Sequence, residues 1–309
     1  MVGAPHAESV IGGPDGRLIQ LKVHQCAWNA AAVPNSLPAI LDCYQQHVAR
    51  AEIDVAILHD QDFLIVHDTD LSHATDGRGR VDQTRCADTG RLHLLRAGRP
   101  SAERPALLSE VAAAIAGEPF PTVLELDLKD WAPWPWPRVE ELARILEPIK
   151  DRITFGGSAD WNLRRLLRVD PSLPMGYTIT QELDWLPPQA PPEPLPGIRG
   201  AYGYLDAHPL ARQRTGPTAD YLRDRLGAIL RLVPGARDIH VRLLAVERML
   251  DDGLDDLADL LHAQGMLLDV WTLDAETPNW RARLERAVAC GADVITTNTP
   301  RALARAGVD

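Results

Sequence analysis

The stretch EIDVAILHDQDFLIVHD, residues 52–68, joins two apolar runs that carry ionisable side chains at their ends. Side chains at positions i and i+2 of a β-strand lie on the same face, so Glu52 and Asp54 point the same way. Two carboxylates on one face of a buried strand are costly unless a cation offsets their charge. The stretch therefore predicts a strand whose carboxylates belong to a cation-binding site. The second apolar run either continues this strand or turns back against it in a short hairpin.

Ionisable side chains also end other apolar runs in the N-terminal half. His24 follows the run LIQLKV, and His67 follows the run FLIV within the opening stretch. In TVLELDLK, Glu125, Asp127 and Lys129 share one strand face. Two strands with paired carboxylates in one protein suggest that a metal ion offsets their charge.

Strand-like and helix-like patterns alternate along the whole chain. Strand-like runs lie at 18–23, 52–58, 63–67, 122–128, 153–155, 174–179, 239–244, 267–273 and 292–297. Helical periodicity lies between most of them, at 36–48, 107–117, 139–150, 160–169, 221–233, 254–265 and 279–291. This alternation is typical of parallel βα units, and counting the opening stretch as one unit gives eight strands. The sequence therefore predicts an α/β fold, a single (β/α)8 TIM-type barrel over 18–309 with extended loops on its C-terminal face, after an N-terminal extension at 1–17.

The composition of the 309 residues narrows the class of protein. Apolar residues make up 45% and charged residues 24%, which is typical of a globular protein with a large core. The net charge of −11, without a basic stripe, argues against nucleic acid as a partner. The cysteines are far apart, the N-terminus lacks a secretory pattern, and no apolar run is long enough for a transmembrane segment. We therefore expect a cytoplasmic protein with reduced thiols, whose oligomeric state the sequence leaves open.

Two loops interrupt the alternation, and both are expected on the C-terminal face, where barrel active sites lie. The segment KDWAPWPWP, residues 129–137, holds three tryptophans, and WLPPQAPPEPLPG, residues 185–197, is rich in proline. The tryptophans at 131–136 fit either an apolar cap on the barrel or a wall of the site, with weak lipid contact.

Carboxylates dominate the candidate metal ligands. Glu52, Asp54 and Asp127 supply hard oxygen atoms of the kind that bind Mg²⁺ or Ca²⁺ rather than zinc. Glu125 competes with Asp127 for this role, and the register with Lys129 favours Asp127.

Two histidines complete the predicted chemistry. His24 and His67 follow strands that would end at the same face of the barrel, and such a pair can divide proton donor and acceptor roles near neutral pH. With a metal ion and the Lys129 ammonium, they describe a site that stabilises a phosphoryl group during acid–base catalysis. Other histidines, namely His59, His73 and His240, are expected to be structural or at the surface.

Several motifs follow one another in the order of a known family. E-x-D-V in the opening stretch is followed by an apolar strand and H-D, and TDGRGRV at 75–81 is similar to a T-x-G-x-G-x-V turn. VWTLD at 270–274 and GADVITTNTP at 291–300 stand near the C-terminus. On these residues the chain resembles the glycerophosphodiester phosphodiesterases, which are metal-dependent (β/α)8 barrels.

The resemblance implies hydrolysis of a glycerophosphodiester, or a related small-molecule phosphodiester, to a glycerol phosphate and an alcohol. It implies one divalent cation, Mg²⁺ or Ca²⁺, on Glu52, Asp54 and Asp127, with His24 and His67 as the acid–base pair. The residues expected to contact the substrate are Lys129, Trp271 and Gln25.

The chain departs from the family at two motifs. Where H-R-G is usual it has His24-Gln25-Cys26, and where P-E-N-T is usual it has VPNS at 33–36. The missing arginine removes a cation that glutamine cannot replace. A barrel that binds a phosphorylated ligand without turning it over therefore stays open as an alternative. Asp127-Leu-Lys129, which has aspartate where the family has E-x-K, and the tryptophan loop keep a second alternative open, a lysophospholipase-D or sphingomyelinase-D-like activity on lipid phosphodiesters.

Overall fold

In the computed structural model, which describes residues 4–29, 31–120, 122–187 and 216–307, eight parallel strands form one sheet. The strands are β1 (Leu18–Val23), β2 (Arg50–Ile57), β3 (Val123–Leu128), β4 (Ile153–Gly156), β5 (Gly176–Thr178), β6 (Asp238–Arg242), β7 (Leu267–Trp271) and β8 (Val294–Thr297). Neighbours in sequence are neighbours in space from β1 to β4 and from β5 to β8, and β8 pairs with β1.

The sheet closes between β4 and β5. Phe155 and Met175 form a parallel bridge there, and the Phe155 N–H donates to the Pro174 carbonyl at 3.0 Å. The Thr178 N–H donates to the Gly157 carbonyl at 3.0 Å. The predicted (β/α)8 barrel is therefore confirmed.

Two short antiparallel strands extend this sheet. Val10–Gly12 pairs with β1, so part of the predicted N-terminal extension is joined to the barrel. Phe63–Ile65 pairs with β2, which makes the opening stretch a hairpin and not one interrupted strand. The hairpin returns the chain toward the C-terminal face, where His67 follows.

Helices pack around the barrel. Within the described residues they are α1 (Leu37–Gln45), α2 (Leu71–Ala74), α3 (Cys86–Thr89), α4 (Leu108–Ile115), α5 (Trp136–Leu146), α6 (Asp160–Val169), α7 (Thr218–Ile229), α8 (Leu243–Asp251), α9 (Leu257–His262), α10 (Trp280–Ala289) and α11 (Pro300–Ala306). Over these ranges no helix combines the length and the apolar character that a membrane span requires.

The predicted elements differ from the observed ones mainly near β6. The strand predicted at 239–244 ends at Arg242, because Leu243 begins α8 and is buried with Val246 and Met249 on one helical stripe. Helices α2, α3, α8 and α11 were not predicted, and the proline-rich loop predicted at 185–197 lies outside the described residues from residue 188 onward.

The inside of this barrel is polar, whereas most barrels of this type fill it with branched aliphatic side chains. In β1 the buried Ile19 and Leu21 alternate with Gln20, which points inward. Arg50 donates from Nε to Gln20 Oε1 at 2.6 Å, and its Nη1 lies 3.2 Å from Asp238 Oδ1. The apolar core therefore lies between the barrel and its helices, and charged layers fill the centre.

Candidate active site

A buried ionic network forms the floor of the site. Lys22 Nζ lies 2.5 Å from Glu125 Oε2 and also contacts Asp269 Oδ2. His240 Nε2 lies 3.3 Å from the same Glu125 oxygen. Burial alone would lower the pKa of Lys22, but the charges of Asp269 and Glu125 outweigh it and hold that pKa above its usual value. The ammonium therefore stays charged between two carboxylates.

Two glycines make room for this network. A Cβ on Gly156 of β4 would lie 2.8 Å from Glu125 Oε1, and one on Gly176 of β5 would lie 2.8 Å from the His240 ring. These small residues let the longer side chains of β3 and β6 fill the centre. Because Glu125 pairs with Lys22 in this layer, Asp127 is the β3 carboxylate that reaches the layer above.

Three carboxylates meet in the layer above the floor. Glu52 and Asp54 come from β2, and Asp127 lies opposite Asp54 in the parallel pairing of β2 with β3. One oxygen from each carboxylate lies within 4.8 Å of the others. Glu52 and Asp54 are buried, whereas Asp127 is partly exposed.

Gln25 and Asn35 hold the two buried carboxylates from behind. Gln25 donates its backbone N–H to Glu52 Oε2 at 2.8 Å and its side-chain amide to Asp54 Oδ2 at 2.7 Å. Asn35 Nδ2 donates to the same Asp54 oxygen at 2.6 Å, and the Asp54 N–H donates to Asn35 Oδ1 at 3.1 Å. Gln25 is thus engaged by the carboxylates and does not lie on the cavity wall, where we expected it to meet the substrate.

Lys129 bridges two carboxylates of the cluster, those of Asp54 and Asp127. Its Nζ lies 2.6 Å from Asp54 Oδ1 and 2.5 Å from Asp127 Oδ2. Burial alone would lower the pKa of Lys129, but the charges of Asp127 and Asp54 outweigh it and raise that pKa. Burial acts to raise the pKa of Asp54, and the charges of Lys129 and His67 outweigh it and lower that pKa. For Glu52, burial and then the charge of Asp54 raise the pKa well above its usual value.

The carboxylate cluster could hold one divalent metal ion. One ammonium does not balance three carboxylates, and Glu52 Oε1 is buried without a hydrogen-bond partner in the described part of the chain. A cation bound to these oxygens would satisfy that atom and lower the pKa of Glu52. Hard oxygen donors without cysteine suit a hard cation.

His24 and His67 line the same cavity as Glu52 and Asp127. His24 follows β1, with its Nε2 3.9 Å from Glu52 Oε2 and its Nδ1 2.9 Å from Asn298 Oδ1. His67 follows the hairpin, and its half-exposed ring has Nδ1 3.5 Å from Asp68 Oδ1. Both predicted histidines therefore face the site, although their roles remain predictions.

The cavity has a volume of about 690 Å³. Its wall includes Trp271, as predicted, and also Arg242, which the sequence analysis did not identify. The Arg242 guanidinium carbon lies 4.6 Å from the centre of the Trp271 ring, and Nε donates to Asp184 Oδ2 at 3.0 Å. His240, expected to be structural, lines the floor. The spacing of His240 and Arg242 on β6 is the same signal that identified Glu52 and Asp54.

The tryptophan loop divides between two roles. Trp131 lines the cavity. Trp134 is buried, with its ring 5.3 Å from that of Phe63, so the predicted lipid contact cannot come from this side chain. Trp136 is 42% exposed, and the guanidinium groups of Arg165 and Arg168 lie over its ring. The loop is therefore partly a wall of the site and partly a cap on the core.

Solved structures share this architecture, although the chain matches no family model and no curated protein sequence. A phosphodiesterase from Oleispira antarctica, solved with its product sn-glycerol-3-phosphate, has a TM-score of 0.62 at 17% identity over 93% of this chain and 96% of that chain. A glycerophosphoryl diester phosphodiesterase from Parabacteroides distasonis has a TM-score of 0.59 at 16% identity over 99% of this chain and 92% of that chain. A glycerophosphodiester phosphodiesterase from Agrobacterium tumefaciens has a TM-score of 0.58 at 15% identity over 93% of this chain and 99% of that chain.

These likenesses cover nearly the whole barrel and confirm, at the level of the fold, the resemblance that the motifs predict. The chain has the barrel fold of the glycerophosphodiester phosphodiesterases.

Proposed function

We propose that this protein is a metal-dependent phosphoric diester hydrolase that cleaves a glycerophosphodiester to a glycerol phosphate and an alcohol. The observation that carries the proposal is one cavity lined by the Lys129 ammonium, two imidazoles, and Glu52 and Asp127, which cluster with the buried Asp54. A cavity of this chemistry can bind a phosphoryl group, offset its charge and exchange protons with its oxygens. The glycerol phosphate bound to the Oleispira antarctica phosphodiesterase supports this choice of product.

Each group has a defined task in this proposal. Glu52, Asp54 and Asp127 would hold one cation, Mg²⁺ or Ca²⁺, which supplies Lewis-acid stabilisation of the phosphoryl oxygens when bound. His24 and His67 would exchange protons with the attacking and leaving oxygens, where the attacking group is water or a neighbouring hydroxyl of the substrate. These three carboxylates are all held by β2 and β3, so their spacing is set by one strand pair.

Two cations would contact the phosphodiester anion. Lys129 lies beside the carboxylate cluster, and Arg242 stands on β6 of the same cavity. Arg242 would supply the positive charge that the H-R-G arginine supplies in the family, because Gln25 carries no charge. Asp184 and the Trp271 ring fix its guanidinium in place.

The test is release of glycerol phosphate from glycerophosphocholine and glycerophosphoethanolamine. We expect EDTA to abolish turnover and Mg²⁺ or Ca²⁺ to restore it. Because an acid–base group contributes about 10²–10⁴-fold, His24→Ala and His67→Ala should each lower kcat by that order. His59→Ala is the matched control, since this exposed histidine lies off the cavity wall. Full turnover after exhaustive chelation would refute the metal requirement, and the same activity in all three variants would refute the histidine roles.

The lipid-directed alternative is less favoured by the geometry. It relied on the D-x-K motif and the tryptophan loop, and the burial of Trp134 leaves Trp136 as the exposed aromatic side chain of that loop. Hydrolysis of lysophosphatidylcholine in preference to glycerophosphocholine would reverse this order of preference. A cytoplasmic location remains part of the proposal and is supported by four unpaired cysteines.

A further inference from the structure

The side chain of Asn298 lies between His24 and Asp274. Asn298 follows β8, which pairs with β1 so that Thr297 stands opposite Val23. This pairing brings Asn298 beside His24, and His24 Nδ1 lies 2.9 Å from Asn298 Oδ1. The contact therefore depends on the closure of the barrel between its first and last strands.

Asp274 fixes the orientation of the Asn298 amide. Asn298 donates its backbone N–H to Asp274 Oδ1 at 2.6 Å and its Nδ2 to Asp274 Oδ2 at 2.8 Å. Thr297 Oγ1 donates to Asp274 Oδ1 at 3.1 Å. A carboxylate only accepts, so the NH₂ group of Asn298 must face Asp274 and the amide oxygen must face the imidazole.

The amide oxygen then determines the tautomer of His24. Because Oδ1 of Asn298 can only accept a hydrogen bond, His24 Nδ1 must carry the proton. In the neutral ring, Nε2 is then the nitrogen with a lone pair. This nitrogen is 3.9 Å from Glu52 Oε2 and so faces the carboxylate cluster.

We propose that Asn298, anchored by Asp274, is a positioning residue that holds His24 as the Nδ1–H tautomer with Nε2 turned toward the substrate. The catalytic part of this inference rests on the proposed function, since it makes Nε2 the atom that exchanges a proton with a substrate oxygen. The pair differs from a carboxylate–histidine pair because an amide orients the ring without a charge. Without it, the ring would turn about χ1 and χ2 and adopt either tautomer.

Nitrogen-15 NMR of the neutral imidazole reads the tautomer directly. The signal of His24 is identified by its loss in His24→Gln, and spectra are recorded at alkaline pH. We expect the Nδ1–H form in the wild-type protein. In Asn298→Ala and in Asp274→Ala we expect a shift toward the Nε2–H form, which free imidazole side chains favour in water. Glu276→Ala, an exposed change on the same loop as Asp274, is the control and should keep the wild-type tautomer.

Steady-state kinetics on glycerophosphocholine supply the second readout. A misplaced catalytic group costs about 10²-fold, so kcat of Asn298→Ala should fall by roughly that factor while KM stays nearly constant. An Nε2–H tautomer in the wild-type protein, or a tautomer and kcat unchanged in Asn298→Ala, would overturn the inference. The NMR experiment needs no turnover, so a wild-type protein that hydrolyses no diester would refute the proposed function without deciding the tautomer.

Discussion

Replacement of Lys22 by methionine tests whether the floor of the site is held by charge pairing. Methionine has a similar length, so the change removes the ammonium and keeps most of the volume. Two buried carboxylates, Glu125 and Asp269, then lose the cation between them. Breaking a buried ion pair from one side typically costs about 3–5 kcal/mol, because the remaining charge is uncompensated. The side chains involved are at most 4% exposed, so solvent screening should reduce this figure little.

The contacts that remain in Lys22→Met determine how much stability the variant should lose within the range of about 3–5 kcal/mol. Asp269 keeps a hydrogen bond from Thr296 Oγ1 at 2.9 Å, and Glu125 keeps His240 at 3.3 Å. We therefore expect the free energy of unfolding to drop by about 3–4 kcal/mol at pH 7. The loss should shrink at acidic pH, because unpaired buried carboxyls have raised pKa values and the folded variant gains stability as they are protonated.

Denaturant unfolding followed by circular dichroism measures this loss. Lys150→Met is the matched control, because Lys150 pairs with Glu147 at 2.9 Å on the exposed surface and its loss should leave the midpoint nearly unchanged. The double variant Lys22→Met with Asp269→Asn should recover part of the stability, since one uncompensated charge is removed. A loss below about 1 kcal/mol for Lys22→Met, or one that does not depend on pH, would refute this account of the floor.

Three further predictions concern the cavity and its surroundings. Glu52→Gln should weaken the binding of Mg²⁺ or Ca²⁺ by about tenfold or more in titration calorimetry, since one ligand charge is lost. An unchanged affinity would show that Glu52 is not a metal ligand. Arg242→Lys should raise KM for glycerophosphocholine about tenfold with little effect on kcat, and an unchanged KM would show that Arg242 does not contact the substrate. Burial raises the pKa of Glu182 to about 7, although the hydroxyl of Tyr177 donates to it at 2.8 Å. The protonated Glu182 therefore contributes its full stabilisation below about pH 4.5, and this stabilisation is lost as the pH rises through 7. In thermal melts, Glu182→Gln should lack the decline in melting temperature over this pH range. An unaltered decline would contradict the raised pKa of Glu182.

The alternation of strands and helices was enough to predict the barrel, because hydrophobic periodicity reports directly which side of a strand or helix is buried. The carboxylate cluster was also predictable, since the spacing of Glu52 with Asp54 and of Glu125 with Asp127 is local. The register with Lys129 already favoured Asp127 over Glu125 as the member of the cluster. The structure adds the reason, because Glu125 is paired with Lys22, whose partners lie on strands far away in the sequence.

Most of the parts that could not be predicted involve contacts between distant segments. The spacing of Arg242 with His240 is a local signal, but its contact with Trp271 depends on the register in which β6 pairs with β7. Asn298 meets His24 only because β8 closes against β1. The predicted end of β6 was wrong for a different reason: the short apolar run around Leu243 fits a strand and a helix equally well.

The polar interior of the barrel has a consequence for how the chain assembles. Lys22 on β1 pairs with Glu125 on β3 and Asp269 on β7 only when strands from both ends of the sequence are in place. A half-formed barrel would enclose unmatched charges, so partly folded states lack the stability that an aliphatic centre would give them. The charged centre thus favours the fully closed barrel over partly closed ones. Either half of the barrel expressed alone should remain unfolded.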